Sequence, residues 1–195
     1  MNTTPWLDEL TATFLGTVDT LTDDEFTAPT ALAGWTRAHV VAHVHFNALA
    51  LRRLVSWARS GEETPMYASP SQRAEEIDRG ADETPASLRM LVHDSARALG
   101  DDFADLSTEQ LERTIVTAQG RHLPARDISW LRCRELAVHA VDLDAGVTFC
   151  TLPDGFVTAL VHDAVTKRVA GGEAAALAAV LTGRSDAGPS LGPWL

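Results

Sequence analysis

Cysteine is nearly absent from this chain. Cys133 and Cys150 are its only two, too few for a disulfide framework and without the paired spacing of a zinc knuckle. Lysine is rarer still, with Lys167 standing alone against fifteen arginines, and the 16 basic residues face 27 acidic ones for a formal net charge of −11. That balance disfavours nucleic acid and anionic membranes as partners, because both are bound by basic faces that displace counterions. No apolar run approaches the ~18 residues needed to cross a bilayer. The opening MNTTPWLDEL lacks the basic stretch and apolar core of a secretory leader, so a cytoplasmic location is expected. Phosphate loops, internal repeats and the strand–turn–helix signature of a nucleophilic serine are missing too.

What remains is an ordinary globular composition, 45% hydrophobic and 22% charged over 195 residues, enough for one domain with a proper core and an appendage. Apolar residues recur at helical spacing in four long stretches. The first follows Thr4-Pro5 with Trp6, Leu7, Leu10, Phe14, Val18 and Leu21, and the second runs from Thr36 to about Arg59. The third follows Thr84-Pro85, and the fourth spans Ile128 to about Asp144 and stops at Gly146. Ser69 to Gln72 caps a short helix that stops at Gly80, and Ser107 with Gln110 caps a brief turn. Ile115–Leu123 predicts a small hairpin or extended loop. Beyond Val147 come a helix over Asp154–Arg168, a Gly171-Gly172 break, a short Ala-rich helix and a Gly/Pro tail. The expectation is an all-α fold, a helical bundle over residues 1–146 with a reduced helical segment over 147–195 packed on it.

Chemistry concentrates in ISWLRCRELAVHAVDLDAG, where Glu135 and His139 stand four residues apart and so share one helix face. A carboxylate beside an imidazole is a pair that a divalent metal, zinc especially, takes from a helix. Alone, such a pair is more often a surface hydrogen bond. His43 supplies a third ligand type on the inward stripe of the second helix, beside Val40 and Phe46, and bundles build metal sites from facing helices in this way. Asp142 continues the Glu135/His139 face and can hold the second ring nitrogen of His139. His39 is the competing ligand, His45 is expected to face solvent, Trp35 to staple the bundle end, and Cys133 to be packing. Met66 and Tyr67 are an apolar pair in the otherwise polar loop SGEETPMYAS, which suggests that it folds over something, next to Arg73 and Arg79.

Four motifs in order, GWTRAHVVAHV, TPMYASPSQRAEEIDRGA, AQGRHLPARDISWLRCRELAVHAVDLDAG and LTGR before a terminal PWL, resemble the mycothiol-dependent maleylpyruvate isomerase family. The resemblance runs from about residue 5 to 168 and over the last twenty or so. It implies a DinB-like four-helix bundle with His43, Glu135 and His139 as zinc ligands, a further coordination position open, and Arg184 of LTGR as a catalytic arginine. It also implies mycothiol and a small-molecule electrophile as partners, cis–trans isomerisation of maleylpyruvate as the reaction, and Tyr67, Arg73 and Arg79 as candidates for holding the cofactor or the substrate's carboxylates. Two departures stand out. AHVHFNALAL places Phe46 and Leu49 where the family commonly has an Arg and an Asp, and the C-terminal segment lacks the family's small strand-containing part. A mycothiol S-transferase acting on another electrophile and a non-catalytic DinB-like metal-binding protein are the rival functions, with the chain a monomer or homodimer.

Overall fold

A computed structural model describes residues 4–69 and 71–185, with side chains from Trp6 onward. The chain forms two compact units, Met1–Thr148 and Phe149–Leu195. The first is built on four long helices, α1 (Thr4–Thr20), α2 (Arg37–Ser60), α4 (Pro85–Ala104) and α6 (Ile128–Asp142). Shorter elements lie between them: α3 (Gln72–Ala81), α5 (Thr108–Leu111), and a hairpin of β1 (Thr114–Val116) and β2 (His122–Pro124). The hairpin pairs antiparallel with Ile115 opposite Leu123. The Ile115–Leu123 segment is therefore a hairpin.

The apolar stripe of α1 puts Leu10, Phe14 and Val18 fully inside. Each side chain so buried stabilises the bundle by roughly 1.5–3 kcal/mol relative to exposure. Direction follows from the cross-helix bonds. Arg52 on α2 meets Asp102 on α4 and His45 meets Leu91, while His93 on α4 meets Asp19 on α1 and Arg89 meets Leu21 just past it. Thus α2 runs parallel to α4, and α1 antiparallel to α4. Because α2 packs against α3, α4 and α6 at once, it has little solvent face. That overturns the expectation for His45, which is 8% exposed with Nδ1 3.0 Å from the Leu91 carbonyl.

Helix ends are set by local chemistry. Gly61 closes α2 in the left-handed conformation at φ 81°, its N–H donating to the Trp57 carbonyl at 2.8 Å. Thr84 caps α4 by accepting from Ser87 N–H at 3.2 Å. Gly80 does not stop α3, which continues to Ala81. A Cβ there would lie 2.8 Å from the Phe46 ring and 2.9 Å from the Ala42 Cβ, so glycine is what lets α3 lie against α2. The second unit holds α7 (Asp154–Ala170) and α8 (Ala174–Leu181), joined through Gly171 and Gly172. Its α7 buries Phe156 and Leu160. The described residues contain no helix long and apolar enough to cross a membrane.

Candidate metal centre

The site lies where the second turn of α2 faces the last turns of α6, and both helix ends are pinned there. Thr36 precedes α2 in extended conformation, its N–H donating to His39 Nδ1 at 3.2 Å while its hydroxyl lies 2.8 Å from the same nitrogen. Arg37 reaches across to the end of α6, donating from Nε to the Leu143 carbonyl at 2.6 Å and from Nη2 to the Asp144 carbonyl at 2.8 Å. A cation on those last carbonyls satisfies orphan acceptors and opposes the negative end of the helix dipole. The chain then leaves α6 through Asp144 at φ 48° and Gly146 at φ 94°.

Held in this frame, His43, Glu135 and His139 bring one ligand atom each to within 4.8 Å of one another, all three residues buried. His43 Nε2 lies 2.9 Å from Glu135 Oε2, and His139 Nε2 lies 3.5 Å from the same oxygen. Asp142 Oδ2 takes the other ring nitrogen of His139 at 2.8 Å, turning Nε2 toward the cluster. His43 Nδ1 is buried with no hydrogen-bond partner, so packing and the Nε2 contact with Glu135 hold that ring. The two imidazoles meet edge to face at 4.7 Å. Trp35 lies over them, 5.5 Å from His43 and 6.4 Å from both His139 and His39. It therefore roofs the cluster as well as preceding the cap. His39 is held in that cap and stands outside the triad.

Burial is the largest influence on all three groups. It pushes His43 down to about 4, so this imidazole is neutral at pH 7. For His139 burial is outweighed by the hydrogen bonds and charges of Asp142 and Glu135, which raise it to about 9. Glu135 is likewise held well below the usual carboxylate range by its two histidines despite its burial. Two imidazole nitrogens and one carboxylate oxygen, oriented from behind by a second carboxylate, match the donor set of a three-ligand divalent-metal site with a position left open.

Met66 is the anchor of its loop, buried at 9% exposure, its carbonyl accepting from Arg53 at 2.6 Å and its sulfur from Ala118 N–H at 3.3 Å. Tyr67 and Arg73 line a cavity of about 490 Å³ with Trp57, Met66 and Val116. Burial pushes the Tyr67 phenol up, with Arg73 opposing and Glu135 adding to the shift. The Arg73 charge also acts on His43. Arg79 instead lies over the Phe46 ring at 5.9 Å. Arg184 follows α8 in the second unit, exposed, its guanidinium on the Thr182 carbonyl of its own turn. Cys133 is fully buried, and burial pushes its thiol up to about 12. The sequence puts Trp35 at the bundle end without showing that it covers the imidazoles; the signal is that Trp35, His39 and His43 recur every four residues.

The family model for the mycothiol maleylpyruvate isomerase N-terminal domain matches residues 7–144. The chain belongs to this family. The crystal structure of a mycothiol-dependent maleylpyruvate isomerase superposes with a TM-score of 0.76 at 39% identity, covering 78% of this chain and 63% of that one. A histidine-to-alanine variant of a mycothiol-dependent maleylpyruvate isomerase gives the same figures. This family member therefore spans less than two thirds of the length of the isomerase structures it matches. YfiT from Bacillus subtilis, described as a probable metal-dependent hydrolase with an unusual four-helix bundle topology, shares the fold at a TM-score of 0.57 and 18% identity, covering 73% of this chain and 85% of that one. No curated protein matches this family member.

Proposed function

We propose that this protein carries out mycothiol-dependent, zinc-assisted thiol chemistry on a small electrophile, of the maleylpyruvate cis–trans isomerisation type. The observation that carries the reading is the buried His43/Glu135/His139 cluster, with Cys133 on the same helix held as a protonated thiol. Burial keeps Cys133 protonated, and in this reading the attacking sulfur is that of an external thiol. His43, Glu135 and His139 would hold the zinc, a Lewis acid that would favour the thiolate form of a thiol near neutral pH. Mycothiol would supply a sulfur nucleophile suited to reversible addition across a cis double bond, which would leave a single bond free to rotate.

The chain's own residues do the rest. Asp142 orients His139, and Trp35 shields the imidazoles from water. Arg73 presents a guanidinium fork from the adjacent cavity, suited to a substrate or cofactor carboxylate, with Tyr67 beside it. Arg184 is assigned the catalytic arginine of the C-terminal segment on the family resemblance. A mycothiol S-transferase is the second reading, favoured by Phe46. Its half-buried ring, one turn from His43 and against the Arg79 guanidinium, stands where the family commonly has an arginine, and an apolar wall suits an apolar electrophile.

Steady-state assays of zinc-loaded protein on maleylpyruvate and a panel of electrophiles, with and without mycothiol, test both. Isomerisation only with mycothiol supports the first reading, and conjugate release the second. Rapid isomerisation without added thiol refutes the external nucleophile, and silence on every electrophile leaves a metal-binding protein without catalysis. Maleylpyruvate itself is expected to turn over slowly, because a missing arginine–carboxylate contact costs roughly 1.5–3 kcal/mol, about ten- to a hundred-fold in rate if it is made in the transition state.

A further inference from the structure

Tyr67 is the chain's one tyrosine, and the backbone on either side of it is held from two different helices. Before it, the Met66 carbonyl accepts from Arg53 Nη1 on α2 at 2.6 Å. After it, the Ala68 N–H donates to Gln72 Oε1 in the first turn of α3. The two arms meet at one atom. Glu76, a turn further along α3, accepts from Gln72 Nε2 at 2.7 Å on Oε1, and Arg53 Nη2 lies 3.9 Å from the same oxygen. Glu76 is 8% exposed, and its Oε2 is buried with no hydrogen-bond partner. For stability alone that is a poor arrangement, because a buried carboxylate oxygen without a donor is costly. Its consequence is geometric: one oxygen orients the Gln72 amide and the Arg53 guanidinium, and these two fix the chain around Tyr67.

The side chain between the arms packs against the buried core that includes Met66 and Ile115, and it lines the cavity of about 490 Å³ together with Trp57 and Arg73. We propose that Glu76 is a positioning residue of this cavity: acting through Arg53 and Gln72, it fixes Tyr67 in the wall. The cavity is the one assigned above to a substrate or cofactor carboxylate, but the clasp on Tyr67 follows from the hydrogen bonds and does not rest on the thiol chemistry. Burial is the largest influence on the phenol and raises it. Among the charges around it, Arg73 of α3 and Arg53 of α2 lower it, and Glu135 of α6 and Glu76 of α3 raise it.

Titration of the phenolate absorbance in the metal-loaded protein reads Tyr67 alone and tests the clasp. Release of the loop lets water reach the ring, so the midpoint falls toward the ordinary value of about 10. Charge and position then differ in sign. Arg53→Met by loss of charge alone would raise the midpoint, whereas release lowers it. Gln72→Leu changes no charge, so its lowering comes from release only. Glu76→Met frees both arms, and adding Gln72→Leu to it moves the midpoint no further, where independent effects would add. If Glu76→Met does not fold, Glu76→Gln, which gives up the ionic hold on Arg53, replaces it in a cycle with Arg53→Met. Glu75→Gln, exposed on the same helix, leaves the phenol at its wild-type midpoint. Nitration of Tyr67 by tetranitromethane near pH 8 gives the same comparison without strong alkali, faster by about tenfold for each pH unit that the midpoint falls. An unchanged or higher midpoint in Arg53→Met, an unchanged one in Gln72→Leu, or additive shifts in the cycle overturns the proposal. So does a lower urea midpoint in the Glu76 variant with the phenol unmoved, which makes Glu76 a structural residue only.

Discussion

Metal uptake by this protein should release one proton at pH 7, and that proton should come from His139. In the metal-free chain His139 titrates at about 9, because Asp142 and Glu135 overcome the effect of burial. His43, pushed down to about 4 by burial, is already neutral, and Glu135 is already ionised. A metal requires both imidazoles neutral. Between about pH 5 and pH 8 the exchange is therefore metal in and one proton out, so log Kd should fall by about one per pH unit and flatten above about pH 9. The same sign governs the stability of the metal-free chain. A His whose folded value is raised stabilises the fold fully below its unfolded value, about 6.5, and that contribution is lost as pH rises through about 9. Calorimetry of zinc binding in two buffers of different ionisation enthalpy counts the proton directly. Asp142→Asn should reduce the count at pH 7, since it removes one of the two carboxylates that keep His139 charged. No proton released by the wild-type protein, or release unchanged in Asp142→Asn, would refute the assignment of charge in this cluster.

Three further outcomes follow from the same geometry. His43→Ala and His139→Ala should each abolish stoichiometric zinc while Asp142→Ala weakens it about 10- to 100-fold, and elemental analysis showing full occupancy in both histidine variants would move the site elsewhere. Gly80→Ala should destabilise the fold by about 1–3 kcal/mol, read as a lower midpoint in urea at unchanged slope, because its Cβ would meet Phe46 and Ala42 inside 3.0 Å. Arg37→Ala should cost about 1.5–3 kcal/mol for each charge-assisted bond removed from the end of α6 and should weaken zinc binding with it. A variant with wild-type stability and zinc affinity would show that this end needs no cap.

Where the structure repeats the sequence pattern, the reason is that the information is local. Glu135 and His139 share a face because four residues are about one turn, and Asp142 follows on that face for the same reason. The long helices announce themselves by apolar stripes and by caps such as Thr84-Pro85. His45 defeats this logic. A stripe analysis assumes one buried face and one wet one, but α2 packs on three neighbouring helices, so a polar residue off the main stripe is also inside. Its surplus of alanine and valine on every side was the available signal. Gly80 is a second instance: glycine reads as a helix stop when only the chain is in view, and as a close approach once Phe46 is placed against it.

Arg132 carries this argument furthest, because nothing in its local sequence separates it from the solvent-facing arginines of an arginine-rich chain. Its burial is decided entirely by α2, which offers Val44 and Asn47 as acceptors. It stands one turn before Glu135, so α6 places a buried cation and then a buried metal-ligand cluster on consecutive turns. Both imidazoles meet Glu135 at Oε2, and the carboxylate acts on Arg132 through space. One helix face thus carries both the candidate metal centre and a buried cation held by neutral acceptors of α2, which the local sequence does not announce.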